Sequence, residues 1–363
     1  MDDMHSFSCR TRIVSGSGAV EALKEYGAKR VFLVADPFFV KNGTAQRILQ
    51  AAGAQTSEIF DGVKPDPDVE TAAAGTARLR DFQPELVAAL GGGSAMDCAK
   101  AMVYFSQGSF PLAAIPTTSG SGSEVTDFAI LTHNGGKHPL VDARLRPDMA
   151  ILDSDLLETL PKSLIADAGF DVLSHALESY VAKDADAFSD MLAREAFSAA
   201  FANLPASFAG QKQVRLKIHL ASAMAGLSFT HGGLGLCHAI SHALGGLYHV
   251  PHGRLNAILL PAVISCNAHG AQKKYAEIAR AAGLGGSADQ VAVRNLKNGL
   301  IRLRKELELP QTLTEAGIHS RELWSRMPEI VSAAMADPCA GTNPLPAEDF
   351  LIRRILEEAS GRG

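Results

Sequence analysis

Strand-like and helical patterns alternate along the first part of the chain, and after about Leu160 the strand patterns stop. The apolar, β-rich run VFLVADP follows Arg30 and ends at Asp36 and Pro37, which is typical of a buried strand that leads into a loop. Helical patterns follow at 44–52 and 68–82, and further strand-like runs read LVAAL and LAAIP. This alternation predicts a mostly parallel sheet that binds ligands at the carboxyl ends of its strands.

Beyond Leu160, segments compatible with helices continue almost to Gly363, interrupted only by glycine and proline. The chain has 363 residues, which is long enough for two domains with sizeable cores. Pro161 follows one helical turn and precedes the next helix, so it is a suitable boundary. We therefore expect an α/β domain over residues 1–160 and an all-helical domain over residues 161–363.

Composition argues against several classes of function. The net charge is -5 with acidic and basic residues mixed throughout, so there is no basic stripe for nucleic acid and no polybasic run for a membrane surface. Apolar runs such as AILLPAVISC stop well short of the roughly 18 residues that a membrane-spanning helix needs. The 5 cysteines are scattered, and the acidic N-terminus does not resemble a secretion signal. These features predict a cytoplasmic protein with reduced thiols.

Two glycine-rich loops follow neighbouring strands. Gly91, Gly92, Gly93 and Ser94 open a helix directly after a strand, where free N–H groups favour an anion such as a pyrophosphate. The loop PTTSGSGSEVT over 116–126 is rich in hydroxyl groups. Each loop could also be an ordinary turn without a ligand, but together they favour a dinucleotide-binding domain. Asp36 ends a strand at the same edge, where a carboxylate would favour NAD over NADP, unless it is simply a turn residue.

Histidines are concentrated in the stretch GLGLCHAISHALGGLYHVPHG over 233–253. The segment from Ala239 to Leu247 is rich in helix formers, so His238 directly before it and His242, four residues later, are expected to share a helical face. His252 follows a Gly-Gly pair and a proline, and we expect it on a turn that folds back toward that face. Upstream, Asp171 and His175 have the same spacing. Either pair alone is weak evidence, but together they predict a site for Fe(II) or Zn(II).

With these motifs in place, the chain resembles the iron-dependent alcohol dehydrogenases over nearly its whole length. The residues that carry the resemblance are GGGSAMDCAK, PTTSGSGSEVT, PDMAILD, GFDVLSHALESYV and GLGLCHAISHALGGLYHVPHGRLNAILLP. Within that family, LPKSLIADAGFDVLSHALESYV is most similar to the propanol dehydrogenases of propanediol-degrading microcompartments.

The resemblance implies a function and a set of site residues. The reaction would be hydride transfer between NAD(H) and a short-chain aldehyde or its primary alcohol, in a homodimer and in a bacterial microcompartment. The metal ligands would be Asp171, His175, His238 and His252, and His242 would lie beside the substrate and relay a proton. The dinucleotide would be bound by Asp36, Gly91, Gly92, Gly93, Ser94, Asp97, Thr117, Thr118, Thr126, Phe128, Lys137 and Leu156.

Other functions stay open at this level. A glycerol, polyol or hydroxy-acid dehydrogenase of the same superfamily would have similar motifs, as would a lyase of the dehydroquinate synthase type. A zinc hydrolase would need a glutamate after the first histidine of its His-x3-His helix, and this chain has Ala239 there. A non-catalytic binding role does not explain two phosphate loops beside a metal site.

Overall fold

The apolar runs of the first part of the chain form a parallel sheet in the computed structural model, which describes residues 6–133 and 136–361. In chain order the strands are β1 (Arg12–Gly16), β2 (Arg30–Ala35), β3 (Thr56–Phe60), β4 (Leu86–Gly91), β5 (Leu112–Pro116), β6 (Phe128–His133), β7 (Gly136–Val141) and β8 (Met149–Asp153). Six of them form one sheet in the order β1-β8-β5-β4-β2-β3, and all of its pairings are parallel.

The central strands of the sheet are buried on both faces, as their continuous apolar runs require. Alternate side chains of a strand point to opposite faces, and in β2 Val31 and Leu33 join one apolar cluster while Phe32 and Val34 join another. The helices of this part of the chain are α1 (Pro37–Lys41), α2 (Thr44–Ala51), α3 (Val69–Phe82) and α4 (Gly93–Ser106). The prediction of a mostly parallel α/β sheet is confirmed.

Several strands were not predicted, including the fully buried β8. β1 lies at the edge of the sheet and is largely exposed, so it lacks the apolar run that marks β2. β6 and β7 form a separate antiparallel pair that begins at Phe128 and ends at Val141. Residues 134 and 135 of the connecting segment lie outside the described residues.

From Pro161 onward the described chain is helical and contains no strand. Its helices are α5 (Lys162–Val181), α6 (Ala187–Phe208), α7 (Arg215–Gly232), α8 (Leu236–Tyr248), α9 (His252–Ala281), α10 (Asp289–Glu306), α11 (Ser320–Ser325), α12 (Met327–Ala336), α13 (Pro338–Gly341) and α14 (Asp349–Ala359). By its contacts the chain divides into a unit over Ser8–Leu160 and a helical unit that starts at Pro161 and includes Phe7. Among the described helices, none has the length and apolar content to cross a membrane.

Candidate metal centre

Helix α5 places a carboxylate and an imidazole one turn apart in the interior of the helical unit. Asp171 and His175 are both buried, and their four-residue spacing places them on the same face of the helix. The ring of Phe229 stacks on His175 with centroids 4.5 Å apart, and the ring of His238 also lies 4.5 Å from it. The orientation of His175 is therefore set by rings from two other helices.

The other two predicted ligands come from α8 and α9. Asp171 Oδ1 lies 3.9 Å from His175 Nε2, 3.9 Å from His238 Nε2 and 3.5 Å from His252 Nε2. The expectation that His252 lies on a turn was wrong, because it is the first residue of α9. Pro251 precedes it with an extended backbone, and proline readily stands where a new helix begins. The predicted proximity of the four residues is nonetheless present.

Asp171, His238 and His252 fit a divalent metal, because their ligand atoms lie within 4.8 Å of one another, and His175 approaches the same carboxylate oxygen at 3.9 Å. Distances of 3.5–3.9 Å are too long for direct hydrogen bonds between the groups. Ligand atoms that share a four-coordinate ion at roughly 2.1 Å are themselves separated by roughly 3.4 Å, close to the spacing found here. One carboxylate and three imidazoles without a thiolate suit Fe(II) or Zn(II). The identity of the four ligands remains a prediction.

The electrostatics of the cluster favour metal-binding states of Asp171 and His252, whereas His238 must lose a proton before it can bind a cation. Burial raises the pKa of Asp171, but the neighbouring imidazoles outweigh it and hold that pKa well below its usual range. Burial lowers the pKa of His252 well below its usual value, and the Asp171 carboxylate only partly opposes this. Burial also lowers the pKa of His238, but the nearby carboxylates of Asp171 and Glu178 outweigh it and raise that pKa to about 9. An ionised carboxylate and a neutral imidazole are thus present at neutral pH.

Glu178 lies behind His238 and was missed in the sequence. Its carboxylate accepts the Nδ1–H of His238 at 2.6 Å and backbone N–H groups of Gly235 (3.1 Å), Cys237 (2.6 Å) and His238 (3.3 Å). Glu178 follows His175 by three residues on α5, so helical spacing alone could have placed it on the ligand face.

Asn256 is the second residue that the sequence did not reveal. It is fully buried, and its Nδ2 donates to Asp171 Oδ1 at 2.9 Å. The same nitrogen lies 3.3 Å from His238 Nε2 and 3.1 Å from His252 Nε2. Ser241 donates to Asn256 Oδ1 at 2.5 Å, which fixes the amide with its nitrogen toward the cluster.

His242 lies beside the cluster without joining it. Its ring stacks on that of His252 with centroids 5.1 Å apart, and its Nδ1 is 2.8 Å from Asp337 Oδ2. Asp337, which the sequence analysis also missed, caps α13 by accepting the N–H of Cys339 at 2.8 Å. Cys237 is next to His238 in the sequence, but its thiol points to the carbonyl oxygen of Asn256 at 3.6 Å.

The two glycine-rich loops lie against each other at the carboxyl ends of β4 and β5. Gly91 is paired with Pro116, and Thr117 donates its N–H to the Gly91 carbonyl at 2.9 Å. Gly91 has a φ of 153°, and a Cβ there would lie 2.7 Å from that of Ala95, so glycine is required. A Cβ on Gly92 would lie 3.3 Å from Thr118 Oγ1. Gly93 and Ser94 form the first turn of α4, whose N–H groups can bind an anion.

Asp36 is at the same edge, directly after β2. Its backbone N–H donates to the carbonyl of Leu90 at 3.1 Å, and its side chain caps α1 by accepting the N–H of Phe38 at 2.8 Å. The carboxylate thus has an ordinary capping role. Selection of the dinucleotide by Asp36 stays a prediction.

The buried Lys100 connects several predicted cofactor residues and was not itself predicted. Its Nζ bonds Ser123 Oγ at 3.0 Å, Thr126 Oγ1 at 2.9 Å and the carbonyl of Phe128 at 2.9 Å. Asp97 accepts from Ser123 Oγ at 2.7 Å and from the N–H of Ile130 at 3.2 Å. In this structure Asp97, Thr126 and Phe128 therefore hold the second loop onto α4.

The last two predicted cofactor residues have other contacts. Lys137 on β7 pairs with Asp66 at 2.7 Å. Leu156 belongs to a short 3₁₀ helix over Ser154–Leu157 and packs against an apolar cluster of the sheet. Neither contact shows whether Lys137 or Leu156 binds a dinucleotide.

Comparison with known families matches both parts of the chain. Residues 10–154 match the family described as iron-containing alcohol dehydrogenase, and residues 165–360 match the C-terminal part of the Fe-containing alcohol dehydrogenase family. The chain is 40% identical to 1-propanol dehydrogenase PduQ of Salmonella typhimurium over 98% of this chain and 100% of that one. It is 36% identical to the NADPH-dependent butanol dehydrogenase of Clostridium saccharobutylicum, with 98% and 97% covered.

Solved structures give the same picture. The chain superposes on a 1,3-propanediol oxidoreductase with a TM-score of 0.92 and 30% identity, covering 98% of this chain and 100% of that one. It is also similar to sulfoacetaldehyde reductase from Bifidobacterium kashiwanohense in complex with NAD+, with a TM-score of 0.90, 27% identity and coverage of 99% and 100%.

Proposed function

The chain belongs to the iron-containing alcohol dehydrogenase family, and from this premise we propose that it interconverts a short-chain aldehyde and its primary alcohol. Membership makes it an oxidoreductase that uses iron and NAD(H). We propose propanal and 1-propanol as the first substrate pair. The relatives named for 1-propanol, butanol and 1,3-propanediol support substrates of three or four carbons.

The observation that carries this proposal is the convergence of Asp171 Oδ1 with three imidazole Nε2 atoms at 3.5–3.9 Å. Asp171, His175, His238 and His252 would hold the ion, Fe(II) with Zn(II) as the other candidate, and when bound it supplies Lewis-acid chemistry toward a carbonyl or alcohol oxygen. NAD(H) supplies or accepts the hydride. The protein contributes a buried, pre-oriented ligand set.

For the proton, we propose His242 as the relay. Its Nδ1 is 2.8 Å from the Asp337 carboxylate, so Nδ1 carries the proton and donates to it. Nε2 is then free to accept a proton when an alcohol is oxidised and to return it when an aldehyde is reduced. The side chain is partly exposed, with 23% of its surface accessible, so it can also exchange protons with water.

For the dinucleotide, we propose that Gly91–Ser94 and Thr117–Thr118 hold the pyrophosphate and that Asp36 favours NADH over NADPH. A carboxylate at the end of β2 accepts hydrogen bonds from ribose hydroxyls and repels a 2′-phosphate. The butanol dehydrogenase relative is named as NADPH-dependent, so the preference of this chain must be measured with both cofactors.

The test is reduction of propanal by protein stripped of metal under anaerobic conditions and reloaded with Fe(II) or Zn(II). We expect activity to return with the metal and to be lost in Asp171→Ala and His252→Ala. His249→Ala is the matched control, because His249 is an exposed histidine at the end of α8 and should retain activity. NADH is expected to give a higher kcat/KM than NADPH.

Two outcomes would overturn parts of this proposal. A reloaded protein that binds NADH but reduces no short aldehyde would require tests with glycerol, other polyols, hydroxy acids and dehydroquinate-type lyase substrates. Full activity in Asp171→Ala would instead reject the ligand set, whatever the substrate.

We also propose a homodimer located in the cytoplasm inside a bacterial microcompartment. The support is resemblance to the propanol dehydrogenases of propanediol degradation, including the relative at 40% identity. Light scattering of the purified protein tests the dimer, and co-purification with shell proteins from the native host tests encapsulation.

A further inference from the structure

The carboxylate of Glu178 is buried at 2% exposure, and four N–H groups converge on it. One is the ring Nδ1–H of His238, and three are backbone N–H groups at the start of α8. We propose that Glu178 is a positioning residue for metal binding, which sets the tautomer of His238 and at the same time caps the helix that carries it. This inference rests on the proposed ligand set.

The spacing along α5 places Glu178 on the ligand face. Asp171, His175 and Glu178 are separated by four and three residues, so all three project from one side of the helix. One face of α5 therefore contributes two ligands directly and orients a third ligand that belongs to another helix. The contact spans 60 residues of sequence.

The hydrogen bond to Glu178 decides which nitrogen of His238 presents its lone pair to the cluster. A neutral imidazole has one N–H and one acceptor nitrogen. Because Glu178 accepts from Nδ1 at 2.6 Å, the neutral imidazole has its lone pair on Nε2, the atom 3.9 Å from Asp171 Oδ1. Carboxylate partners of this kind fix ligand orientation, and their loss commonly costs 10–100-fold in metal affinity.

The same carboxylate completes the start of α8, whose capping residue, Gly235, has no side chain to do so. Negative charge at a helix N-terminus is favourable, and the first N–H groups need acceptors. A Cβ on Gly235 would lie 2.7 Å from Glu178 Oε1 and 2.8 Å from Asn343 Oδ1. Glycine at this position makes room for the carboxylate.

The test is Glu178→Gln. An amide presents one oxygen and one NH₂ group, so it cannot accept from four donors, and its NH₂ group facing His238 would favour the wrong tautomer. We expect Co(II) or Zn(II) to bind 10–100-fold more weakly in a chelator competition assay, with a changed visible spectrum for Co(II). The matched control is Glu277→Gln, which alters another carboxylate bonded to α5, through Tyr180 at 3.1 Å, and should bind metal like the wild type.

The outcomes separate this inference from the proposed ligand set. If Glu178→Gln has the Co(II) affinity and spectrum of the wild type, the positioning role is overturned. This holds even if the variant unfolds more easily, because loss of the helix cap alone lowers stability without changing the bound ion. If Glu178→Gln binds Co(II) like the wild type while Asp171→Ala no longer binds it, the proposed ligand set still stands. Normal metal binding in Asp171→Ala would reject the ligand set itself.

A measurement on the wild type covers the case in which Glu178→Gln fails to fold. In the zinc-loaded protein, ¹⁵N NMR of labelled histidines is expected to show His238 with a proton on Nδ1. A His238 that carries its proton on Nε2 would overturn the inference.

Discussion

At the residue scale, both histidines of α8 bond a carboxylate through Nδ1, but we propose different roles for them. Glu178 holds His238 with its Nε2 toward the metal ligands, whereas Asp337 holds His242, which is not placed as a ligand. The two side chains also differ in exposure, with 1% of the His238 side chain and 23% of the His242 side chain accessible. A buried imidazole suits a ligand, and a more accessible one suits a proton relay.

We predict that Asp337→Asn lowers kcat by about 10- to 100-fold and leaves metal content unchanged. The amide can keep the cap on α13 with its oxygen, but its NH₂ group then faces His242 and favours the tautomer with Nε2 protonated. Steady-state kinetics on the reloaded enzyme, with metal content measured in parallel, checks this.

A double-mutant cycle provides the control. If Asp337 acts through His242, the double variant with His242→Ala should be no slower than His242→Ala alone. Effects that simply add would show that Asp337 acts independently.

At the element scale, the proposed metal site requires a close approach of α9 to α5. A Cβ on Gly253 would lie 2.0 Å from the carbonyl oxygen of Asp167 and 3.3 Å from Cβ of Asp171. Arg254 reinforces the crossing through a bidentate pair with Asp167 at 2.9 and 3.1 Å. His252 is thus brought to Asp171 by a backbone contact that only glycine permits.

We predict that Gly253→Ala weakens metal binding at least tenfold and lowers the melting temperature, because the start of α9 must move away from α5. The expected cost of such a backbone clash exceeds the gain of up to about 1 kcal/mol that alanine brings to a helix. Metal titration and thermal unfolding measure the two effects.

Gly246→Ala is the matched control. Gly246 lies on α8, and a Cβ there meets nothing within 4 Å. We expect wild-type metal binding and equal or slightly greater stability, since alanine is the better helix former. Equal behaviour of the two variants would show that the crossing at Gly253 is not limiting.

At the scale of the whole molecule, the two kinds of site are segregated. The predicted dinucleotide residues belong to the unit over Ser8–Leu160, and the predicted metal ligands belong to the helical unit. Metal binding is therefore expected to stabilise the helical unit. Buried ionisable groups of the α/β unit are expected to make the stability depend on pH. Glu124 is such a group, since it is 1% exposed and, among the described residues, its Oε1 has no hydrogen-bond partner.

Burial raises the pKa of Glu124 from 4.5 to about 7. The folded state therefore binds a proton more tightly than the unfolded state, and the resulting stabilisation is complete below about pH 4.5 and is lost as the pH rises through 7. We predict that Glu124→Gln, which cannot ionise, becomes more stable relative to the wild type between pH 5 and 8, by up to about 3 kcal/mol. Urea unfolding across that range measures the difference.

The exposed Glu21→Gln controls for a general effect of removing one negative charge. A constant difference in stability between Glu124→Gln and the wild type at all pH values would show that Glu124 does not titrate in this range.

Features that depend on neighbouring residues could be predicted from the sequence alone. Most of the buried strands, the glycine turn before α4 and the four-residue spacings of Asp171 with His175 and of His238 with His242 all follow from patterns within a few residues. The edge strand β1 was missed because exposure on a sheet edge removes the apolar signal. His252 was placed on a turn because a Gly-Gly pair and a proline mark the end of one helix but not the start of the next.

Only the tertiary structure decided the partners of the functional side chains. Glu178 is 60 residues from His238, and Asp337 is 95 residues from His242. A carboxylate at such a distance carries no local sign of the imidazole that it will bond, because the packing of separate helices brings the two together. The sequence determined which ligand types the chain offers, while helix packing determined which nitrogen of each imidazole is held by a carboxylate. That packing is the reason why we propose His238 as a metal ligand and His242 as a proton relay.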